Sequence, residues 1–245
     1  MASRAGAGTA PGRGAGVSGP RVVVAVGTGR YADPWHPFGE VARALAAWLV
    51  EAGCGVDVRE DVDVALAGLD GADLLVVCAG DPWRGDEARR GADPAASAGL
   101  GAALRRGIGV LAVHAAVSSL RDYPDWRRAI GGGWVVGRSG HPPIGDARFV
   151  VAEPGYPATA GIREVRAYDE RYAGLDIDAG ARILLTSDVD GRAEPAAWAL
   201  ERNPGRSVVS TLGHDGRAMQ SGGHRRFLVS AALWAAGADP RHTAS

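Results

Sequence analysis

Between Arg21 and Ala236 the chain alternates short, nearly uninterrupted apolar runs with stretches whose apolar residues recur every three or four positions. The first pattern predicts strands buried on both faces, the second helices laid across them. Arg21–Gly27, rich in β-branched residues, predicts the first strand. From about Gly39 to Ala52, Val41, Leu45, Trp48 and Leu49 share one face, predicting a helix that Gly53 stops. Gly55–Val58 then predicts a short strand, Val62–Leu69 a short helix and Asp73–Cys78 a buried strand. Gly80–Ser97, rich in Asp, Arg, Gly and Pro, reads as a loop, followed by a helix at Ala98–Arg106 and a strand at Gly109–Val113. Four such units predict an α/β fold with a doubly wound, mainly parallel sheet.

The middle of the chain is less regular. Leu120–Ile130 predicts a helix ended by Gly131, Gly132 and Gly133, and Arg148–Val151, Ala181–Thr186 and Ala196–Leu200 predict strands between turn residues. They read as an added antiparallel β region, not as a second domain. Ser207–Leu212 returns to a buried strand, and Gly223–Ala236 closes as a helix with Phe227, Ala231 and Trp234 on one face. The expected organisation is a tail over 1–20, a single domain over 21–237 and a short tail over 238–245. Residues 1–20 are mostly Gly, Ala, Ser, Pro and Arg, carry no acid and lack the apolar core of ~7–15 residues that a secretory signal needs. That segment reads as a disordered tail on a cytoplasmic protein.

Composition narrows the chemistry. With 46% apolar and 22% charged residues and a formal net charge of −1, a sizeable core is expected. The arginines are scattered, so neither nucleic acid nor an anionic membrane is an expected partner, and no apolar run reaches the roughly 18 residues of a membrane span. All 27 basic residues are arginine. Without lysine, Schiff-base catalysis and a phosphate-binding P-loop are both excluded. Cys54 and Cys78 have neither zinc-cluster nor disulfide-framework spacing and read as core hydrophobes. Gly27-Thr28-Gly29 is followed by Arg30-Tyr31-Ala32, so the third glycine of a dinucleotide fingerprint is missing.

Reactive groups in an open parallel sheet gather beyond the carboxyl ends of its strands. His114 and His214 directly follow the predicted strands Gly109–Val113 and Ser207–Leu212, and His36 lies in the loop after the first strand. Tyr168-Asp169-Glu170-Arg171-Tyr172 supplies carboxylates between aromatic rings, and Asp81 follows the third strand. These segments suggest one site. For His114 alone, a structural bond to a backbone carbonyl is as good a reading, and Asp169-Glu170 also fits a solvated turn. His141, before Pro142-Pro143, fits the site and a loop end equally; His224 reads as the exposed start of the last helix and His242 as tail. Trp35, Trp83 and Trp134 fall in loops where they could stack on a sugar, whereas Trp48, Trp198 and Trp234 fall in periodic, core-like segments.

The ordered set of His36, Gly-x-x-x-x-His at Gly109–His114, Ile-Gly-Gly at Ile130–Gly132, Asp-Glu-x-Tyr at Asp169–Tyr172, Pro-x-x-Trp at Pro195–Trp198, Leu-Gly-His at Leu212–His214 and Phe-Leu before Trp-Ala near the end resembles the ThuA-like (trehalose utilisation) family over about Arg21 to Gly237. The resemblance implies a flavodoxin-like, class I glutamine amidotransferase-like fold. It also implies a departure from the amidotransferases, whose cysteine nucleophile sits on a strained strand-to-helix turn: the matching stretch is Ala112-Val113-His114-Ala115-Ala116. Glutamine hydrolysis by a Cys–His pair is therefore rejected. A second departure is Tyr156-Pro157, where the family usually carries His-Pro before the Asp-Glu segment.

The family's association with disaccharide use, often beside an oxidoreductase that makes a keto-sugar, implies a small-molecule carbohydrate substrate and that oxidoreductase as functional partner. The resulting expectation is proton transfer on a keto-glycoside, by isomerisation or eliminative cleavage, with His114, His214, Asp169 and Glu170 as acid/base groups. His36, Trp35, Tyr172, His141 and Asp81 are expected to bind the substrate. A divalent-metal enzyme is the alternative: no HxH or HExxH spacing supports it, but ligands dispersed over strand ends are compatible with zinc. A non-catalytic sugar-binding protein is a third reading, and assembly as a homo-oligomer is left open.

Overall fold

A computed structural model describes residues 19–84 and 91–240. The expected tail over 1–20 lies almost wholly outside the described residues, as do His242 and part of the Gly80–Ser97 loop. The elements in chain order are β1 (Arg21–Val26), α1 (Phe38–Glu51), β2 (Gly55–Arg59), α2 (Val62–Ala67), β3 (Leu74–Cys78), α3 (Pro94–Arg106), β4 (Gly109–Val113), α4 (Pro124–Ile130), β5 (Gly132–Gly133), β6 (Gly145–Val151), β7 (Glu164–Asp169), β8 (Asp176–Ile177), β9 (Arg182–Val189), β10 (Arg192–Glu201), β11 (Arg206–Ser210), α5 (Gly216–Met219) and α6 (Gly222–Ala235). Nine strands form one sheet in the order β2-β1-β3-β4-β11-β10-β9-β6-β7, and β5 pairs with β8 alongside it. The run β2 to β11 is parallel, and β10, β9, β6 and β7 extend it antiparallel. The sequence pattern thus gives the architecture correctly, including the antiparallel extension.

Burial explains why. All five residues of both β3 and β4 are buried, because helices cover both faces, and this removes the alternation a one-sided sheet would show. One core layer packs α1 and α6 against the sheet through Leu45, Leu49, Phe227 and Leu228. The other packs α2, α3 and α4 through Leu66, Leu100 and Trp126. Trp198 and Trp234 are core, as expected, and both cysteines are buried and free. Among the described residues, no helix is long and apolar enough to cross a membrane.

Helix boundaries moved where capping outweighed periodicity. The α3 helix begins at Pro94, four residues before the apolar pattern, because the Asp93 side chain accepts from the Ala96 amide and proline suits the first turn. The α4 helix begins only at Pro124, after Leu120 takes a left-handed backbone. His224 is a correction: it is fully buried in α6, with Nδ1 3.2 Å from the Ala218 carbonyl, not exposed at the helix start.

Several of the motifs prove to be packing devices. Trp198 donates from Nε1 to the Ile130 carbonyl (2.8 Å), and a Cβ added at Gly132 would lie 2.6 Å from its ring. Pro195 sits at a register shift between β10 and β9, where a missing N–H does no harm. A Cβ at Gly109 would lie 2.3 Å from the Ala235 carbonyl oxygen. Gly109→Ala should therefore push β4 from α6 and cost about 1–3 kcal/mol, read as a lower urea midpoint with an unchanged m-value.

Candidate metal centre

The carboxyl ends of β1, β4 and β11 and the exit of β7 converge on one spot. His114 follows β4 on a turn whose backbone is left-handed (φ 51°), an unusual conformation for a residue with a side chain. The small neighbours Ala115 and Ala116 let this turn pack, and the imidazole is buried. Its Nδ1 lies 2.6 Å from the Thr211 carbonyl, so this nitrogen carries the proton and donates. Nε2 is left as the nitrogen with a free lone pair. The Tyr172 hydroxyl, kept protonated because burial pushes its pKa well above the ordinary value, donates to that Nε2 over 3.0 Å.

His36 is set by the same logic. Asp33 accepts from the Trp35 and His36 amides, a tight local turn, and its carboxylate also takes the His36 Nδ1 proton at 2.7–2.8 Å. His36 Nε2 is buried and has no hydrogen-bond partner among the described residues. Burial lowers the His36 pKa more than Asp33 raises it, favouring the neutral ring. His214 follows β11 through Gly213, whose φ of 111° and closeness to Val113 leave no room for a side chain.

Asp169 needs a correction. Both its oxygens are spent on backbone amides: Gly213 at 2.7 Å, His214 at 3.2 Å and Glu170 at 2.9 Å. This buried carboxylate fixes the His214 loop against the end of β7; it is a positioning residue.

Glu170, next along, faces the imidazoles. Its carboxylate oxygens lie 3.4 Å from His114 Nε2 and 3.5 Å from His214 Nδ1, and those two nitrogens are 3.3 Å apart. The His36 ring sits 4.9 Å from that of His114 and 4.7 Å from that of His214. One atom from each of His36, His114, Glu170 and His214 falls within 4.8 Å of the others. Burial would raise the Glu170 pKa, but the adjacent imidazoles of His114 and His214 overcome it and hold the carboxyl well below its usual range. The same contact raises the pKa of His214.

Around this cluster stand the other expected residues. His141 Nδ1 lies 3.5 Å from Glu170, and its ring, with Tyr172 and Trp134, makes an aromatic wall. Trp35 is 61% exposed with the Arg84 guanidinium over its ring, so it belongs to the rim. Asp81 does not join: it pairs with Arg121 at 3.2 Å. Tyr156 is core, its ring 5.0 Å from Trp234 and its hydroxyl toward Glu201. The expectations missed Asp33, although Asp-Pro-Trp-His carries the signature of an Asp-led turn. They also missed the Thr211 carbonyl, which no side-chain pattern reveals.

The family model described as ThuA, trehalose utilisation, matches residues 21–235. The chain belongs to the ThuA family. Among solved structures, the ThuA-like protein of Parabacteroides merdae shares 19% identity with this chain at a TM-score of 0.73, covering 91% of this chain and 92% of that one. The ThuA-like protein of Bacteroides uniformis follows at 15% and 0.70, covering 95% and 99%. A protein described as a GMP synthase subunit from Thermoplasma acidophilum, at 12% and 0.55 over 89% and 94%, shows the wider amidotransferase-like fold. Comparison with curated proteins returned no match. In this ThuA protein, His114 occupies the strained turn after β4, and the thiols of Cys54 and Cys78 lie in the core.

Asp33 offers a clean test of how the cluster is preset. Asp33→Asn keeps the turn's acceptor oxygen but turns an amide N–H₂ toward His36, which reverses the tautomer. Zinc affinity should fall roughly 10–100-fold, while the thermal midpoint of the metal-free protein stays close to wild type. An unchanged zinc isotherm would show that Asp33 does not orient a ligand.

Proposed function

We propose that this protein is a divalent-metal carbohydrate enzyme that moves a proton at a carbon beside a sugar carbonyl, isomerising or eliminatively cleaving a keto-glycoside. The carrying observation is the spacing of His114 Nε2 and His214 Nδ1, 3.3 Å apart, with Glu170 Oε2 3.4 Å from the first and Oε1 3.5 Å from the second. A tetrahedral ion with ligand bonds near 2.1 Å has ligand–ligand edges of about 3.4 Å. The tautomers of His114 and His36 point the same way, each spending Nδ1–H on a neighbour and leaving Nε2 toward the cluster, where an ion on His114 Nε2 would displace the Tyr172 hydroxyl. Three imidazoles and one carboxylate suit zinc.

When bound, such an ion supplies Lewis-acid stabilisation to a carbonyl oxygen as charge develops on it. Proton movement falls to residues at the wall. His141, exposed beside Glu170, is placed to take the proton from carbon. Tyr172, a hydroxyl held protonated by burial, is placed to donate. In isomerisation the proton returns at the neighbouring carbon. In cleavage the electron pair from the broken C–H bond forms a C=C bond, the C–O bond to the leaving group breaks, and its oxygen takes a proton. The carbohydrate class follows from the family description. The keto group requires a separate oxidoreductase to supply the substrate.

The test is elemental analysis of protein purified from metal-replete medium, with turnover of a keto-glycoside before and after chelation. One ion per chain and turnover lost on chelation support the reading. Turnover that survives without metal assigns the same residues to metal-free acid/base catalysis, and sugar binding without turnover makes the site a receptor.

A further inference from the structure

Beside the metal centre, and outside it, lies a cavity of about 270 Å³ between the chain that follows His114 and the segment after α4. Its lining includes Trp83, Ser119, Leu120, Trp126 and Trp134, so it is largely apolar with a few polar groups, as small-molecule sites are. Trp134 belongs to both places: its ring meets Tyr172 edge-on at 5.0 Å, and Tyr172 bonds His114. Its amide donates to the Val117 carbonyl, which ties the two walls together (3.0 Å). Two features mark the cavity as more than a packing gap. Ser119 is only 3% exposed, yet its hydroxyl has no hydrogen-bond partner among the described residues; a buried hydroxyl left unpaired costs about 1–3 kcal/mol. At the rim, Arg127 is held by Asp176 and Asp178, and Arg121 lies over the Trp83 ring while paired with Asp81. Indole faces beside two buried groups that make no hydrogen bond among the described residues, the Ser119 hydroxyl and Arg121 Nη2, match a pyranose ring, which is apolar on its C–H face and hydroxylated at its edge.

We propose that this cavity is a second sugar subsite, which takes the non-reacting ring of a disaccharide while the other ring reaches the metal centre. It rests on the carbohydrate reading above, takes the disaccharide class from the family description, and adds where the second ring sits. The consequence is a preference for disaccharides over monosaccharides that is set by Ser119 and Trp83, neither of which touches the cluster.

The test is titration calorimetry of the zinc-loaded full chain with trehalose and with glucose, whose one ring repeats in trehalose. Ser119→Ala and Trp83→Ala are titrated alongside, and zinc content is measured on every sample. Trehalose should bind at least tenfold more tightly than glucose. Each variant should lose most of that margin while glucose affinity and zinc content stay at wild-type values. Equal affinity for the two sugars, no binding of either by zinc-loaded protein, or a margin that survives both variants would overturn the subsite. Zinc absent from wild type would instead count against the metal centre, and the sugar margin would still be read on that sample. An aryl β-glucoside that outcompetes trehalose and resists Ser119→Ala would assign the cavity to an aromatic aglycone and overturn the sugar-ring assignment.

Discussion

Replacing His114 with alanine should abolish stoichiometric metal binding, lowering zinc affinity by well over roughly 100-fold, more than loss of an outer-shell partner costs. His114 Nε2 is the hub of the cluster, within 3.0–3.4 Å of Tyr172, His214 and Glu170. Its loss removes one ligand and the contact that aligns two others. The thermal consequence is large. An ion at a free concentration about a thousandfold above its dissociation constant stabilises the native state by about 4 kcal/mol, which for a chain of this size is about 8–16 °C in Tm. Wild type should lose that increment on chelation, and His114→Ala should show no chelator response at all. Misfolding is separated from ligand loss by His114→Gly. Glycine relieves the left-handed backbone at φ 51° and should be about 1 kcal/mol more stable than the alanine variant, yet equally unable to hold zinc. One equivalent of zinc retained by either variant would remove His114 from the ligand set.

The same residues show how far the sequence was readable. His36, His114 and His214 were legible because apolar runs marked the strands, and the ends of parallel strands are where a doubly wound sheet gathers polar chemistry. What periodicity conveyed was position along the chain. It did not convey which oxygen or nitrogen faces which neighbour. Asp169 and Glu170 are adjacent and alike in sequence, but the last residue of β7 turns into backbone amides and the next turns to the imidazoles. The strand that carries them escaped notice because Glu164–Asp169 is an edge strand, with its charged residues Glu164 and Arg166 turned outward and only alternate positions buried. His224 was legible and misread: with Phe227, Leu228 and Ala231 it keeps the i, i+3, i+4, i+7 spacing of a core face. The Ile-Gly-Gly and Pro-x-x-Trp motifs, which suggested function by their order, turn out to be two halves of one packing contact at Trp198. The ordered motifs therefore report fold as much as site.

The stability gap between metal-loaded and metal-free protein should widen as pH rises from about 5 toward the folded pKa of His214. In the metal-free state, His214 has its pKa raised from 6.5, first by the hydrogen bond with Glu170. A raised pKa contributes stability that is fully present below 6.5 and is lost as pH climbs through the folded value. Glu170 is depressed from 4.5 despite burial, by His114 and His214, so its contribution is present above 4.5 and is lost only as pH falls through its much lower folded value. Between about 4.5 and 6.5 both contributions are whole, and above that window the metal-free protein weakens. Zinc reverses the sense, since it needs an unprotonated His214 nitrogen, while His36, its pKa lowered by burial, has already given up its proton. Below the folded pKa of His214, each unit of pH should cost about tenfold in zinc affinity, with about one proton released per ion bound. Calorimetry in two buffers of different ionisation enthalpy counts that proton. The Tm difference between zinc-loaded and chelated samples should widen from about pH 5 upward and level off once pH passes the folded pKa of His214. In Glu170→Gln the partner that raises His214 is gone, so proton release at pH 6.5 should fall and zinc affinity should drop with the lost ligand. A Tm difference that is flat across this range would mean that zinc, if bound, does not compete with the proton on His214.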